Sequence, residues 1–102
     1  MRSDFNQKVW SALKLIPRGR VATYKEIARF IGNFKAARAV GQACGRNSKA
    51  PRVPCHRVVK SDGSLGGYSG GVNKKIYLLK QEGLKIVKSK IENFKKKKFE
   101  FI

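Results

Sequence analysis

Thr23-Tyr24-Lys25-Glu26-Ile27-Ala28-Arg29-Phe30-Ile31-Gly32-Asn33 runs directly into Phe34-Lys35-Ala36-Ala37-Arg38-Ala39-Val40-Gly41-Gln42-Ala43-Cys44-Gly45, and this stretch decides the fold. Thr23 and Glu26 have the spacing of a capping box, in which each side chain satisfies the other's backbone N–H. A helix therefore starts at Tyr24, turns Ile27, Ala28 and Ile31 inward, and stops at Gly32 in the C′ position. Asn33 is expected to cap a second helix from Phe34 to about Cys44, ended by Gly45. Its apolar side is made of Ala36, Ala37, Val40, Ala43 and Cys44, so it can pack closely. Two short helices joined by a tight glycine-containing turn, the second carrying Lys and Arg, make a helix-turn-helix.

On the N-terminal side, Asp4 is expected to cap a helix whose apolar residues Phe5, Val9, Ala12, Leu13 and Ile16 share one face. Pro17-Arg18-Gly19-Arg20 breaks it. On the C-terminal side, residues 46–56 read as irregular, with Pro51 and Pro54, and Arg57-Val58-Val59 as a short strand. Asp62-Gly63 is a turn, Leu65 to Gly71 a glycine-rich loop, and Asn73 to about Glu82 a last helix with Gly83 at C′ and Ile76, Leu78 and Leu79 inward. The fold class is mainly α: one winged-helix-like helix-turn-helix domain over residues 1–87, with at most a small strand pair. Residues 88–102 form a basic tail, either mobile or a short extra helix.

The 102 residues carry 24 Lys and Arg against 6 Asp and Glu, a formal net charge of +18. The tail is not the source, since residues 1–87 hold eighteen basic and four acidic side chains. So one-sided a surface points to a polyanionic partner. No basic amphipathic helix with a wide apolar face, long apolar run or signal peptide is apparent, which argues against a membrane. Two cysteines and one histidine are too few for a four-ligand zinc site, so no metal or other cofactor is expected. The thiols read as reduced, and the compartment as intracellular: cytoplasmic, or nuclear in a eukaryotic source.

Pro54-Cys55-His56-Arg57-Val58-Val59 is the segment that carries chemistry. A thiol attacks as its thiolate, and a histidine, an arginine and a positive field all favour that form. The other reading makes Cys55 a small core residue. In an extended segment neighbouring side chains point apart, so His56 would reach Cys55 through a water unless the backbone bends. Glu82 is out of place at a helix C-terminus, where the macrodipole disfavours negative charge. Either Lys80 and Lys85 pair with it, or it orients His56.

These residues resemble the O6-alkylguanine-DNA alkyltransferases, also called methylated-DNA–protein-cysteine methyltransferases. The resemblance lies in Pro54-Cys55-His56-Arg57-Val58, in Lys35 to Gly41 and in Gly66-Gly67-Tyr68-Ser69-Gly70-Gly71, with Tyr24 and Asn47 at family spacing. It runs from about Phe5 to Gly83, which corresponds to the family's C-terminal active-site domain. The family's N-terminal domain has no counterpart in these residues, and Phe34 and Ser48-Lys49-Ala50 stand where the family often has proline.

The resemblance implies a function and a partner: repair of duplex DNA containing O6-alkylguanine, by irreversible single-use transfer of the alkyl group to Cys55, by a monomer. It implies a Glu82–His56–water–Cys55 relay, with Asn47 tying the helix-turn-helix to the active segment. Arg38 would fill the gap left by a flipped nucleotide, on a recognition helix whose small residues Ala36, Ala37 and Gly41 lie in the minor groove. Tyr24 would press on the phosphate and donate toward the guanine. The Ser69 backbone would donate to O6 beside Tyr68, and the carbonyls of Cys55 and Val58 would accept from the guanine amino group. The main rival is a non-enzymatic alkyltransferase-like lesion sensor; such proteins replace the cysteine, which is present here. An architectural DNA-binding protein and a Cys-His hydrolase are weaker rivals, the second because the only histidine adjoins the cysteine.

Overall fold

The structure, a computed structural model, describes residues 2–101; residues 1 and 102, the outer bounds of the two expected units, lie outside it. Helix α1 spans Arg2–Leu13. Its inner side buries Val9, Ala12 and Leu13, with Ile16 just beyond its end. Asp4 does not cap this helix as expected: it lies within the first turn. Nothing in the preceding residues breaks a helix, and a carboxylate there still meets the positive end of the dipole.

Strand β1, Ala22–Thr23, leads straight into α2, Tyr24–Phe30, through the expected capping box: the Thr23 hydroxyl accepts from the Glu26 N–H, and the Glu26 carboxylate accepts from the Thr23 N–H. The end of α2 explains a correction. Gly32, with φ of +86°, donates its N–H to Arg29, and Asn33 donates to Ala28, the paired bonds of a Schellman motif. Asn33 therefore closes α2 instead of capping the next helix. Helix α3 spans Ala37–Gly45, three residues later than expected, with no side-chain cap at Ala36. Gly45 lies inside it and Arg46 is its C-cap. Packing holds it in place: Val40 and Ala43 are fully buried, and the Trp10 indole donates to the Ala43 carbonyl at 2.9 Å.

The active segment is not extended. Cys55–Arg57 forms one turn of 3₁₀ helix, and strand β2 is Val58–Val59. It pairs in parallel with β1, Ala22 opposite Val58 and Thr23 opposite Val59; the long intervening chain permits that topology. Alternation sends the two valines apart. Val58 joins the cluster under α1, α2 and α3, while Val59 joins Val21, Leu65, Leu79, Leu84 and Ile91. Helix α4, Val72–Gln81, ends at Glu82 and Gly83 as expected.

Residues beyond 85 are built into the fold. Strands β3 (Ile86–Val87) and β4 (Lys90–Ile91) form an antiparallel pair, a second pair beyond the one expected, and α5 is Phe94–Lys97. Val21 donates to the Lys97 carbonyl and Phe99 to the Val21 carbonyl, at 3.0 and 2.7 Å. Phe94 covers Gly63, where a Cβ would stand 3.0 Å from its ring. Phe101 stacks on Phe30, and Lys98 pairs with Glu26 at 3.4 Å. The 88–102 segment thus has the short helix of the two alternatives, and its phenylalanines, absent from the core expected from the helices, pack against it.

Candidate active site

The 3₁₀ turn sets the site. Cys55 is held by its N–H to the Val53 carbonyl, and Arg57 by its N–H to Pro54. The turn brings His56 inward, 1% exposed, toward the C-cap of α4. There Nε2 of His56 meets Oε2 of Glu82 at 2.8 Å. Of the two readings of Glu82, the structure has the one in which it meets His56; its ion-pair partners among the described residues are His56 and Arg57.

Arg57 is the partner that sequence reasoning missed. Its Nε and Nη2 donate to Glu82 at 3.0 and 2.7 Å, and its Nη1 donates to the Ile16 carbonyl at 2.7 Å. A two-pronged guanidinium grip is what makes a carboxylate tolerable at a helix C-terminus. Burial alone would raise the Glu82 pKa, but the hydrogen bonds from Arg57 and His56 bring it below its ordinary value. Burial lowers the pKa of His56 despite the carboxylate beside it. The ring is then neutral near pH 7. A carboxylate neighbour can only accept, which assigns the proton to Nε2. Nδ1 is left as a buried acceptor with no hydrogen-bond partner among the described residues.

The expected thiolate is corrected here. Burial pushes the Cys55 thiol up, against the opposing influence of Asn47 and Lys75. That burial favours the thiol over the thiolate, and the positive charge of Arg57 is turned to Glu82. Cys44, expected on the apolar helix face, is buried there and also lines the Cys55 pocket; burial first, then Cys55, raises it to about 12.

That pocket, about 270 Å³, joins the two motifs. Tyr24, Gly41, Cys44 and Gly45 wall it from the helix-turn-helix, Gly67, Tyr68 and Ser69 from the loop, and Cys55 lies between. A larger apolar hollow of about 500 Å³ between α1 and α2 shares no residue with it and contains neither the thiol nor its base. The Tyr24 hydroxyl abuts Gly66, where a Cβ would stand 3.2 Å away and φ is +70°. Burial raises Tyr24 to about 12, so it remains a donor. Asn47, buried just after α3, donates to the Val53 carbonyl at 2.6 Å and accepts from the Lys49 N–H. It ties the end of α3 to the segment before Cys55.

Arg38 is exposed on α3. Arg38, Gly41 and Gly45, spaced i, i+3 and i+7, share one helix face, so Arg38 stands on the face that opens to the pocket. Ala37 and Gly41 are partly exposed, but Ala36 is buried at 8% and its methyl belongs to the core, not to an outer surface. Val58 is also fully buried, and its carbonyl already accepts from Lys75 at 2.7 Å. Lys75 is the second missed residue. Its signal was its place four residues before Leu79, on the inward stripe of α4.

Residues 4–84 match the family model described as 6-O-methylguanine DNA methyltransferase, DNA binding domain. The chain is 54% identical over 81 residues to a methylated-DNA–protein-cysteine methyltransferase of Methanosarcina acetivorans, covering 79% of this chain and 52% of that one. Its structure resembles Mycobacterium tuberculosis OGT in complex with DNA, with a TM-score of 0.77, 54% identity, and coverage of 78% and 49%. It also resembles S. pombe Atl1 in complex with damaged DNA containing O6-carboxymethylguanine, with a TM-score of 0.83, 31% identity and 97% of both chains covered. The chain thus spans about half the length of the methyltransferase relatives and nearly all of Atl1.

Proposed function

Because the chain belongs to the 6-O-methylguanine DNA methyltransferase family, matched through that family's DNA binding domain, we propose that it also carries the family's acceptor chemistry. In this reading it removes the alkyl group from O6-alkylguanine in duplex DNA, once, onto Cys55. The observation that carries the proposal is the His56–Glu82 contact at 2.8 Å, with Nδ1 buried and without a hydrogen-bond partner among the described residues, in the turn that holds Cys55 against the helix-turn-helix pocket.

Glu82 holds the ring through Nε2–H. Nδ1 takes the Cys55 proton through a water, and the sulfur attacks the alkyl carbon as its bond to O6 breaks. The leaving guanine is stabilised by donors at its edge, Tyr24 and the Ser69 backbone. The product at Cys55 is a thioether, which water does not cleave, so the reaction stops after one event. The damaged base reaches the pocket by leaving the stack. Arg38, beside the pocket mouth, fills the gap as α3 lies in the minor groove. The partner is duplex DNA, the acting species a monomer, and the compartment the one that holds the genome. No step needs a metal.

The near-complete match to Atl1 favours a second reading, a lesion sensor that binds without transferring. One experiment separates the two. The intact mass of the chain is measured after mixing with excess duplex containing O6-methylguanine, and the modified residue is located by peptide mapping. The expected result is one methyl per chain on Cys55, none in Cys55→Ser, and normal gain in Cys44→Ser. Tight lesion binding with no mass gain establishes the sensor, and a methyl on another residue removes Cys55 from its role.

A further inference from the structure

Lys75 is fully buried. Its ammonium donates to three main-chain carbonyls: Val58 at 2.7 Å, Leu65 at 2.5 Å and Gly67 at 3.1 Å. An ammonium has three N–H donors, and all three are used. A lone charge at this depth is costly unless fully bonded, and a methionine or leucine would fill the same inward position on α4. These three carbonyls come from different places: Val58 follows the catalytic turn on β2, Leu65 opens the glycine-rich loop, and Gly67 lines the pocket beside Cys55.

We infer that Lys75 is a positioning residue that clamps the glycine-rich loop onto the catalytic strand and thereby sets the width of the base pocket. The inference rests on the reading of the pocket given above. Among the described residues, the backbone N–H groups of Gly67, Tyr68 and Ser69 find no main-chain acceptor. The main-chain bonds that place them are those to Lys75 and the turn in which Gly71 donates to Tyr68, beside the packing of the Tyr68 ring against the core and the edge of His56. Val58 is held by the same ammonium, so loop and strand move as one unit. Lys75 touches no reacting atom in this arrangement; it acts through the carbonyls it grips.

Charge matters to the clamp. Burial lowers the Lys75 pKa to about 8, with Cys44 from α3 and Cys55 from the catalytic turn opposing the shift. His56 also feels the ammonium, while Arg57 faces Glu82. A neutral amine offers two N–H donors to three carbonyls, so one grip is released as Lys75 loses its proton.

The test uses Lys75→Met in the full chain. Amide exchange is followed at Leu65 and Gly71, which flank the loop, with Ala43 in α3 as internal reference. Transfer from methylguanine duplex is followed as limiting rate and half-saturating concentration. The clamp predicts faster exchange at Leu65 and Gly71 relative to Ala43, and a half-saturating concentration raised roughly tenfold or more, the scale of a lost charged hydrogen bond, with little change in limiting rate. Unchanged exchange and half-saturation in a folded variant overturn it. If the variant does not fold, wild-type protein decides: relative protection of Leu65 and Gly71 should fall as pH rises through about 8, and a constant ratio overturns the clamp. Should wild-type protein transfer no methyl, the transferase reading fails while the exchange comparison still judges Lys75.

Discussion

Arg57 holds Glu82 with two prongs, Nε at 3.0 Å and Nη2 at 2.7 Å, and Glu82 in turn holds His56 at 2.8 Å. The base at the centre of the proposed reaction is therefore aligned by a residue next to it in sequence, acting through one 25 positions away. This links stability and chemistry in a way that two substitutions separate. Arg57→Leu leaves a buried carboxylate without its guanidinium and should cost about 3–5 kcal/mol of folding stability, the scale of a broken buried pair. Urea unfolding reads this directly, and a loss near zero would mean that the grip is idle.

Glu82→Gln keeps the shape of that side chain but removes its charge. His56 then loses the partner that fixes its tautomer, and the Cys55 thiol should need a higher pH to react. The midpoint of the Cys55 alkylation rate against pH, measured with a small haloacetamide, is expected to rise. An unmoved midpoint would show that Glu82 has a structural role only.

Arg38→Ala should slow repair of duplex DNA far more than reaction with a free alkylguanine base. Only the duplex must expel a nucleotide, and Arg38 stands exposed on the face of α3 that opens to the pocket. Rates on the two substrates, compared for wild type and variant, give the answer; equal losses on both remove Arg38 from the flipping step.

Acid should destabilise the fold in two stages. The His56 pKa is depressed by burial below its ordinary 6.5, so the unfolded chain binds a proton that the native ring refuses. Stability from this group is full above pH 6.5 and falls as pH drops below it, by at most about 1.4 kcal/mol per pH unit. The Glu82 pKa is depressed below its ordinary 4.5, so its contribution is present above that pH and is lost as pH falls through the folded value. Urea midpoints from pH 7 to 4 should show the first decline, and His56→Gln should remove it.

The C-terminal segment makes two separable contributions. Phe99 and Phe101, partly buried, pack against the core cluster under α1, α2 and α3, so Phe99→Ala should cost stability, but less than the about 3–5 kcal/mol of a fully buried phenylalanine. Lys95 and Lys96 are exposed, and their replacement by Gln should leave stability unchanged. If both touch phosphates, the slope of log K against log salt flattens by about 0.9 for each. An unaltered slope means that α5 lies away from DNA.

Legibility in the sequence followed interaction range. The capping box of Thr23 and Glu26 and the stops at Gly32 and Gly83 are local events, and the chain states them openly. Asn33 misled because its type suits both a helix start and a helix end, and the bond from its N–H to Ala28 decided for the end. The thiolate expectation weighed charge but not burial, which pushes the Cys55 thiol up, and the charge of Arg57 is turned to Glu82. Helical spacing placed Lys75 on the inward stripe of α4 but not the three carbonyls it grips, and the docking of Phe94, Phe99 and Phe101 depends on contacts far along the chain, which no local pattern encodes. The family motif brought Cys55, His56, Glu82 and Asn47 into view together, but it gave Ala36 an outward role that its burial denies.

The short parallel pairing of Ala22–Thr23 with Val58–Val59 also sorts the chain into lengths that can change and lengths that cannot. Tyr24, at the start of α2, follows one strand immediately, and the turn of Cys55 precedes the other immediately, so the pairing works as a ruler with one wall of the pocket at one mark and the proposed nucleophile at the other. A residue inserted between Cys55 and Val58 would move the thiol off its mark or exchange the two valines between clusters. An insertion at the exposed Ser48–Lys49 bend leaves that interval intact, yet it would part the Lys49 N–H from Asn47. For anyone grafting a label or a loop onto this scaffold, the Cys55–Val58 interval is the one to leave at its present length.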